Sequence, residues 1–408
     1  MPITSALYGF FAFGVIAVVA AVRGRWREGI LLAASLAFYS YGSIPYAAAL
    51  VVLGLAVWRL GLLAREGRRW ALSTGVVLAV VVLGVFKYTG WAIGTFNATR
   101  AQLGMGPAVG VPALLVPLGI SFIAFGLIHY LVEMWRGESP APDVFEFLTY
   151  VFFFPTVVAG PIKRYPAFIS DLRHPGALDW EDVRYGAMRV VFGLFKKIVL
   201  ANTFAGLTGQ LISGTVTPIS GLIVAIYAFA FQIWLDFSGY SDIAIGISRM
   251  LGFRIIENFD WPYAQSNIAE FWSHWNMSLT RFIVEYVFIP LGGSRVGRWK
   301  TARNTLLAML VSGLWHGASW HFVIWGLYHG VGLVVHRWFK ESIGALKHRW
   351  PAFAHFFARP VTRKIAFGLG VVVTFNFVAF GWVFFAVDLK TAVIVYQAIG
   401  SWVIARVA

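Results

Sequence analysis

The segment ALSTGVVLAVVVLGVFKYTG, residues 71–90, decides the fold class of this chain. Its side chains are almost all apolar. It is also as long as the roughly 20 residues of α-helix that cross about 30 Å of hydrocarbon in a bilayer. The segment therefore predicts a transmembrane helix.

Similar apolar runs continue in both directions along the chain. They cover residues 5–22, 29–42, 46–64, 114–134, 186–203, 217–236, 303–319, 320–337, 366–386 and 391–407. Some are shorter than a lone spanning helix requires. Gly42, Ser43 and Pro45 separate two of them as a tight hairpin. We expect an all-α integral membrane protein with about nine to eleven transmembrane helices, and short re-entrant and interfacial helices beside them.

The composition agrees with a membrane location. Hydrophobic residues make up 59% of the 408 residues, charged residues make up 12%, and the mean hydropathy is +0.73. Soluble globular chains are nearer half apolar and a quarter charged. The N-terminus has neither a basic region nor a small-residue cleavage signal, so residues 5–22 are expected to remain as the first span.

The net charge of +15 arises from short Lys and Arg clusters between the apolar runs. Nucleic-acid-binding proteins carry such charge on soluble modules, so we expect no nucleic-acid partner. The loop 91–113 carries only Arg100 and is expected on the outer face. Under the positive-inside rule, the basic segments are expected in the cytoplasm, namely 23–28, 65–70, 163–173, 295–302 and 339–364.

Two regions lack a clean span. Residues 145–158 are apolar but reach Pro155, and Gly160 and Pro161 follow. Such a broken helix fits a re-entrant segment that is buried in protein. Residues 237–292 mix apolar, aromatic and charged side chains, so we expect short helices inside or beside the bundle.

The sequence contains no recognisable soluble domain or internal repeat. We therefore expect one polytopic membrane domain over residues 1–408. Within it we expect N-terminal helices over 1–110, a motif-bearing core over 111–340 and C-terminal helices over 341–408. The absence of cysteine excludes disulfides, thiolate catalysis and Cys-based metal sites.

His316 is the sharpest candidate for chemistry, because a polar side chain within an apolar membrane segment is costly. It lies in VSGLWHGASWHF, between Gly313 and Gly317 and close to Trp315 and Trp320. A neutral imidazole in an apolar cavity can take a proton from a hydroxyl that attacks a thioester. A buried histidine bonded to another helix also explains the local sequence, and slightly better.

A second set of candidates lies in EFWSHWNMSLTRF, residues 270–282. Trp272 and Trp275 flank Asn276, whose amide could donate a hydrogen bond to a developing oxyanion. An interfacial aromatic belt around a satisfied amide explains the same residues. His329, in GLYHG, is a candidate for a second catalytic group, although packing explains it more simply.

Two further motifs carry charge. In FFFPTVVAGPIKRY, Lys163 and Arg164 could meet the phosphates of a nucleotide-bearing donor, or could only fix topology. In WLDFSGYSDIAIGISRMLGF, Asp236 and Asp242 are six residues apart and do not share a helix face cleanly. The chain contains no HExxH spacing, so we expect no metal site.

Taken in order, these segments resemble the membrane-bound O-acyltransferase family, and within it the bacterial alginate O-acetylation branch. The resemblance begins at FKYTGW, residues 86–91, and continues through LLVPLGISF, FFPTVVAGPIKRY and DFSGYSDIAIGISRMLGFRIIENFDWPY. It ends with FIPLGGSR, GLWHGASWHFVIWGLYHG and FGWVFFAVDL. No single string is decisive, but the ordered set is specific and covers most of the chain.

The resemblance implies a tunnel through the protein with His316 deep inside it. The family takes an acyl group from a cytoplasmic thioester and passes it to a hydroxyl, without a bound cofactor. By this resemblance, Asn276 would assist His316, and the tunnel would be lined by Trp272, Trp275, Trp315, Trp320, His329 and Asp236.

The chain also departs from the alginate-type pattern. Relatives usually carry Arg-Trp-His where this chain has His274, Trp275 and Asn276, and Asn at the last position resembles the lipid and sterol acyltransferase branches. Relatives tend to have Arg at the position of Val284, and here Arg281 lies about one helical turn earlier. Arg281 is therefore expected to join Lys163 and Arg164 at a cytoplasmic donor mouth.

The expected protein is a multi-pass enzyme of the bacterial inner membrane, surrounded by lipid. Its donor would be acyl-CoA or an acyl-carrier-protein thioester, and its acceptor an exported polysaccharide or an extracytoplasmic acyltransferase partner. Two alternatives remain open: D-alanyl transfer to teichoic acids, which the chain length favours, and a transporter or export scaffold without chemistry.

Overall fold

The computed structural model describes residues 1–137, 139–175 and 179–407, and each regular element within them is a helix. The chain forms two compact units. Unit 1 comprises Met1–Ile198 and Ser238–Glu257. Unit 2 comprises Val199–Phe237 and the chain from Asn258 onward. The subdivision predicted at residues 110 and 340 stays a prediction.

The first eight helices belong to unit 1 and precede a π-helical stretch, Phe195–Leu200. They are α1 (Ala6–Ala21), α2 (Arg25–Ser40), α3 (Ile44–Arg65), α4 (Arg69–Gln102), α5 (Ile120–Arg136), α6 (Val144–Phe152), α7 (Tyr165–Arg173) and α8 (Trp180–Leu194).

The later helices belong to unit 2, except that the end of α11 belongs to unit 1. They are α9 (Ala201–Ala205), α10 (Gly209–Ser213), α11 (Ile219–Met250), α12 (Ile268–His274), α13 (Met277–Ile283), α14 (Arg298–His316), α15 (Trp320–Arg349), α16 (Pro351–Ala358), α17 (Pro360–Ala386) and α18 (Leu389–Val407). A 3₁₀ turn covers Pro262–Ala264, and a π-helical stretch covers Val284–Phe288.

Four of the described helices, α3, α4, α11 and α17, are long and apolar enough to cross a membrane. Helix α1 is apolar but has 16 residues, fewer than the roughly 20 that a lone span needs. The expected fold class, an all-α integral membrane protein, is confirmed. The number of nine to eleven spans stays a prediction.

Helix α4 is longer than its apolar segment, so the predicted loop 91–113 is wrong over its first part. The helix continues through polar residues to Gln102. This is possible because a helix requires hydrogen bonds between its backbone N–H and C=O groups, and polar side chains do not prevent them. The Asn97 amide donates to the Val109 carbonyl (2.8 Å) and accepts from the Val109 N–H (2.9 Å). Helix α5 begins at Ile120 instead of 114, after Pro117 and the left-handed Gly119.

Helix α11 also exceeds its prediction and runs through residues 237–250, where short helices were expected. The predicted short helices are confirmed only after residue 261. The extra turns carry Gly239 and Gly246, which face α8 within unit 1. A Cβ atom on Gly239 would lie 2.7 Å from the Gly193 carbonyl oxygen, and one on Gly246 would lie 2.5 Å from that of Gly186. The glycines thus permit a backbone-to-backbone crossing of the kind found between membrane helices.

A charge cluster stabilises the same crossing. The buried carboxylate of Asp242, on α11, lies 2.5 Å from Arg189 on α8 and 2.7 Å from Lys196 in the π-helical stretch. Arg189 also pairs with Glu257 at 2.7 Å. A buried charge requires such partners. The carboxylate of Asp242 in this apolar helix is therefore explained by its ion pairs with Arg189 and Lys196.

The helix break predicted near Pro155 is present. Helix α6 ends at Phe152, and the chain is not helical again until α7 begins at Tyr165. The first turn of α6 is held by Arg173, whose Nε donates to Glu146 at 2.6 Å. The entry of this segment into the membrane from one side stays a prediction.

Candidate functional site

His316 is the last residue of α14, and glycines set how closely this helix approaches α15 in unit 2. A Cβ atom on Gly313 would clash with the carbonyl oxygen of Phe322, and one on Gly326 would clash with that of Met309. The two backbones are therefore in contact along this seam. Helix α15 starts at Trp320, so His316 lies where the helix pair turns.

Aromatic rings surround the His316 imidazole, which is partly buried. The ring centroids of Trp325 and Phe385 each lie 4.9 Å from it, and that of Trp315 lies 4.6 Å away. Trp325 comes from α15 and Phe385 from α17. An imidazole in this environment is partly desolvated and remains accessible, as a general base must be.

His329, on α15, is fully buried. Its ring meets Trp325 at 5.0 Å and Trp272 at 5.2 Å between centroids. Neither ring nitrogen has a hydrogen-bond partner among the residues that the structure describes. Both candidate histidines therefore contact the Trp325 indole, and His329 packs chiefly against aromatic rings.

Asn276 begins α13 with a left-handed backbone (φ 43°, ψ 54°) and is 3% exposed. Asparagine is among the few residues that adopt this conformation readily. Asn258 holds the turn, because its side-chain oxygen accepts from the Ser278 N–H (3.1 Å) and hydroxyl (2.7 Å), and its carbonyl accepts from the Met277 N–H (2.9 Å). The Asn276 Nδ2 atom is buried without a partner in the described part of the chain.

A stack of indoles connects the Asn276 turn with His316. Trp275 contacts Trp382 at 4.8 Å, and Trp382 stacks on Trp325 at 5.6 Å. The Trp382 Nε1–H donates to the Tyr263 hydroxyl (3.0 Å), which anchors the stack. The structure thus gathers His316, Asn276, Trp272 and Trp275 around one aromatic core.

The remaining tunnel candidates are more dispersed. Trp315 packs on His316, whereas Trp320 is 49% exposed at the start of α15. Asp236 lies partly buried in the portion of α11 that belongs to unit 2. Their roles in lining a tunnel stay predictions.

The three donor-mouth candidates fall in different units. Lys163 and Arg164 belong to unit 1, and Arg281 is exposed on α13 in unit 2. The Lys163 ammonium donates to the Thr156 hydroxyl (3.0 Å) and lies 5.4 Å from the centroid of the Tyr150 ring. Lys163 therefore has contacts inside unit 1, and the donor-binding role of the three residues stays a prediction.

Several residues of this site lie in the motifs that carry the family resemblance but were not predicted as site residues. Trp325, Trp382 and Phe385 come from helices whose order in the chain does not reveal that they pack together. Asn258 follows α11 in an irregular segment, where a single asparagine is unremarkable. Only the density of Trp and Phe around GLWHGASW hinted at an aromatic enclosure.

No group of three or more His, Asp or Glu side chains is arranged to hold a metal ion within residues 1–137, 139–175 and 179–407. The site described above consists of imidazole, amide and indole groups. These groups can accept a proton or donate hydrogen bonds to a developing oxyanion.

Comparison with protein families gives one match, which covers the middle of the chain. The model of the membrane-bound O-acyltransferase family (MBOAT) matches residues 135–379, more than half of the chain. The matched region includes His316, Asn276 and most of the aromatic residues around them.

Three curated proteins illustrate the similarity. A probable alginate O-acetylase of Azotobacter vinelandii is 37% identical over 77% of this chain and 64% of that protein. A peptidoglycan O-acetyltransferase of Helicobacter pylori is 31% identical over 89% of this chain and 71% of that protein. A teichoic acid D-alanyltransferase of Streptococcus thermophilus is 29% identical over 68% of this chain and 70% of that protein. This chain thus spans a little under two thirds of the Azotobacter relative.

Proposed function

Because the chain belongs to the membrane-bound O-acyltransferase family, we propose that it is an acyltransferase of the cell envelope. It would move an acyl group, acetyl in the first instance, from a cytoplasmic thioester to a hydroxyl of an exported or cell-surface polysaccharide. The observation that carries the proposal is the setting of His316. Its imidazole ends α14 inside an aromatic enclosure, as a base in an acyl-transfer site requires.

In the proposed reaction, the acceptor hydroxyl attacks the carbonyl carbon of the thioester, and His316 takes the hydroxyl proton. A C–O bond forms, the C–S bond breaks, and the thiolate leaves with the proton that His316 returns. The Asn276 amide either stabilises the oxyanion of the tetrahedral intermediate or orients His316. The left-handed turn at Asn276, which buries this amide, supports the proposal that the amide takes part in the reaction.

The donor is proposed to be acyl-CoA or an acyl-carrier-protein thioester, which reaches the site from the cytoplasmic face near Lys163, Arg164 and Arg281. The acceptor is proposed by analogy with two relatives, a probable alginate O-acetylase and a peptidoglycan O-acetyltransferase. A partner protein outside the membrane would receive the acyl group if the polymer itself does not. The proposed location of the enzyme is the bacterial inner membrane.

A substitution at His316 tests the proposal directly. His316→Ala is expected to lower polymer acylation by about 100-fold to 10,000-fold, the range for loss of a general base. The measurement is the ester content of surface polymers in a strain that carries only the variant. His355→Ala, in the exposed face of α16, is the matched control and should retain full acylation. Equal acylation by His316→Ala, at an equal membrane level, would refute the enzymatic proposal.

The similarity to a teichoic acid D-alanyltransferase supports a second candidate function, D-alanyl transfer from a carrier-protein thioester. Mass spectrometry of the released esters separates the two, because one yields acetate and the other yields alanine. A third class, a transporter or export scaffold, predicts that acylation survives the His316 substitution.

A further inference from the structure

Unit 2 contains an open cavity of about 700 Å³ beside the aromatic core, lined by α12, α13, α14, α15 and the π-helical stretch Val284–Phe288. Its volume falls within the range of small-molecule sites. Apolar side chains dominate the wall, and they include Leu279, Ile283, Ala308, Met309 and Leu333. The wall also includes Trp272 of α12 and Ser312, one helical turn before His316, but neither His316 nor Asn276.

Three of the hydroxyl groups on the wall donate to backbone carbonyls nearby in their own stretch of chain. Ser273 donates to the Glu270 carbonyl (2.7 Å), Thr305 to the Thr301 carbonyl (2.9 Å) and Thr280 to the Trp275 carbonyl (3.3 Å). The wall therefore offers little to an amide-rich ligand. A hydrocarbon chain suits it better, because each buried CH₂ group contributes about 0.8 kcal/mol in apolar surroundings.

The rim of the cavity is charged, and α15 supplies it through His336, Arg337, Lys340 and Glu341. Glu341 accepts from Arg337 (3.1 Å) and lies 3.7 Å from Arg298. Glu270 lies in the adjoining hollow, together with Lys340. Lys340 is exposed and makes no ion pair among the described residues, so it is the cation left for an incoming anion.

We propose that this cavity binds one acyl chain of an anionic membrane phospholipid, with the phosphate of the head group at Lys340 and Arg337. The chemistry of wall and rim matches such a lipid, and the rim begins the segment 339–364 that the positive-inside rule places at the cytoplasm. Basic pockets between membrane helices at that face are known to hold anionic head groups. The proposal stands apart from the acyl-transfer reaction.

Native mass spectrometry of the full chain in detergent tests the proposal, with phosphatidylglycerol and phosphatidylcholine of identical chains as probes. We expect about fivefold more bound phosphatidylglycerol, since one basic residue near the surface contributes roughly 1 kcal/mol to anionic lipid binding. Lys340→Gln should remove most of this preference. Lys347→Gln, two turns further along α15 and equally exposed, is the matched control and should keep it.

A second pair of variants tests the acyl-chain part of the site. Ala308→Phe fills the wall and should abolish binding of both lipids, whereas Ala92→Phe, on the exposed face of α4, should not. Ala308 is buried, so its replacement by Phe can also disturb the packing of the protein. Lys340 is exposed, so the effect of Lys340→Gln on lipid binding does not depend on packing. Equal binding of the two lipids with no effect of Lys340→Gln would overturn the proposal. Displacement of phosphatidylglycerol by equimolar acetyl-CoA would also overturn it, by assigning the cavity to the acyl donor.

Discussion

Asn276 combines two properties that substitutions can separate. Its backbone is left-handed, and its amide is buried beside the indole stack. Glycine adopts the same backbone freely, whereas alanine there costs roughly 1–2 kcal/mol. The conformational role and the chemical role of this residue can therefore be measured independently.

Asn276→Gly is expected to fold with an almost unchanged melting temperature and to lose polymer acylation by about 100-fold to 1,000-fold, as when an oxyanion donor is removed. Asn276→Ala should lose the same activity and also melt lower. Acylation in membranes and thermal melting in detergent are the two measurements. Full activity of the glycine variant would show that the amide takes no part in the reaction.

Sequence analysis predicted the site residues that lie in one local motif, but not those that are far apart in the chain and meet only in the fold. His316 and Asn276 were predicted because each sits in a local motif dense in Trp, Gly and polar residues. Trp382 was not, since nothing local to FGWVFF marks an indole that stacks on Trp325. The catalytic roles of the first two stay predictions, whereas their common aromatic surroundings are a finding of the structure.

At the scale of helices, the α14–α15 seam fixes the end of α14 that carries His316. Gly326→Ala should force the helices apart, because the new Cβ would clash with the Met309 carbonyl. Overpacking of this kind costs typically 1–3 kcal/mol. We expect at least a tenfold loss of acylation together with a lower melting temperature.

Gly344→Ala provides the control on the same helix, since a Cβ at Gly344 meets nothing within 4 Å. It should leave both acylation and melting unchanged. Wild-type acylation by Gly326→Ala would mean that the seam does not set the position of the histidine.

The α8–α11 crossing makes a prediction about stability alone. Asp242→Asn leaves Arg189 and Lys196 beside a neutral group, and breaking a buried pair in this way typically costs about 3–5 kcal/mol. The variant should melt well below the parent in detergent. Glu181→Gln, which disrupts the exposed pair with Arg184, should not, because exposed pairs contribute little. Equal melting temperatures of the two variants would contradict the interpretation that the ion pairs of Asp242 stabilise the fold.

Hydropathy predicted which segments are helical better than it predicted where the helices end. Helix α4 continues past Gly90 to Gln102, and α11 continues past Asp236 to Met250. In both cases the apolar character stops before the helix does. The lengths of these helices depend on tertiary contacts, such as the glycine crossing with α8, that no single segment encodes.

At the scale of the whole molecule, the basic clusters predict the orientation in the membrane. The chain has no cysteine, so single introduced cysteines report without background. Met105→Cys lies in the exposed segment after α4 and should react with an impermeant maleimide in intact spheroplasts. Ala345→Cys, exposed on α15, should react only after permeabilisation. The opposite labelling pattern would reverse the assigned orientation.

The fold class and the family followed from features distributed over the entire chain, which explains why both were accessible from sequence. Apolar segments recur from α1 to α18, and the motifs keep their order between FKYTGW and FGWVFFAVDL. The division into two units was not predicted, because α11 contributes to both and no linker or change of composition marks the boundary.

Contact between bare backbones at Gly313 and Gly326 has a consequence for the substrate range of such a protein. The backbone contact fixes the end of α14 that carries His316, so a side chain that faces the imidazole from another helix, such as Phe385, can vary without moving that helix end. The size and polarity of the aromatic enclosure are thereby uncoupled from the placement of the proposed base. A scaffold with this property can acquire a new acceptor by a few substitutions in its walls while its reactive centre stays the same.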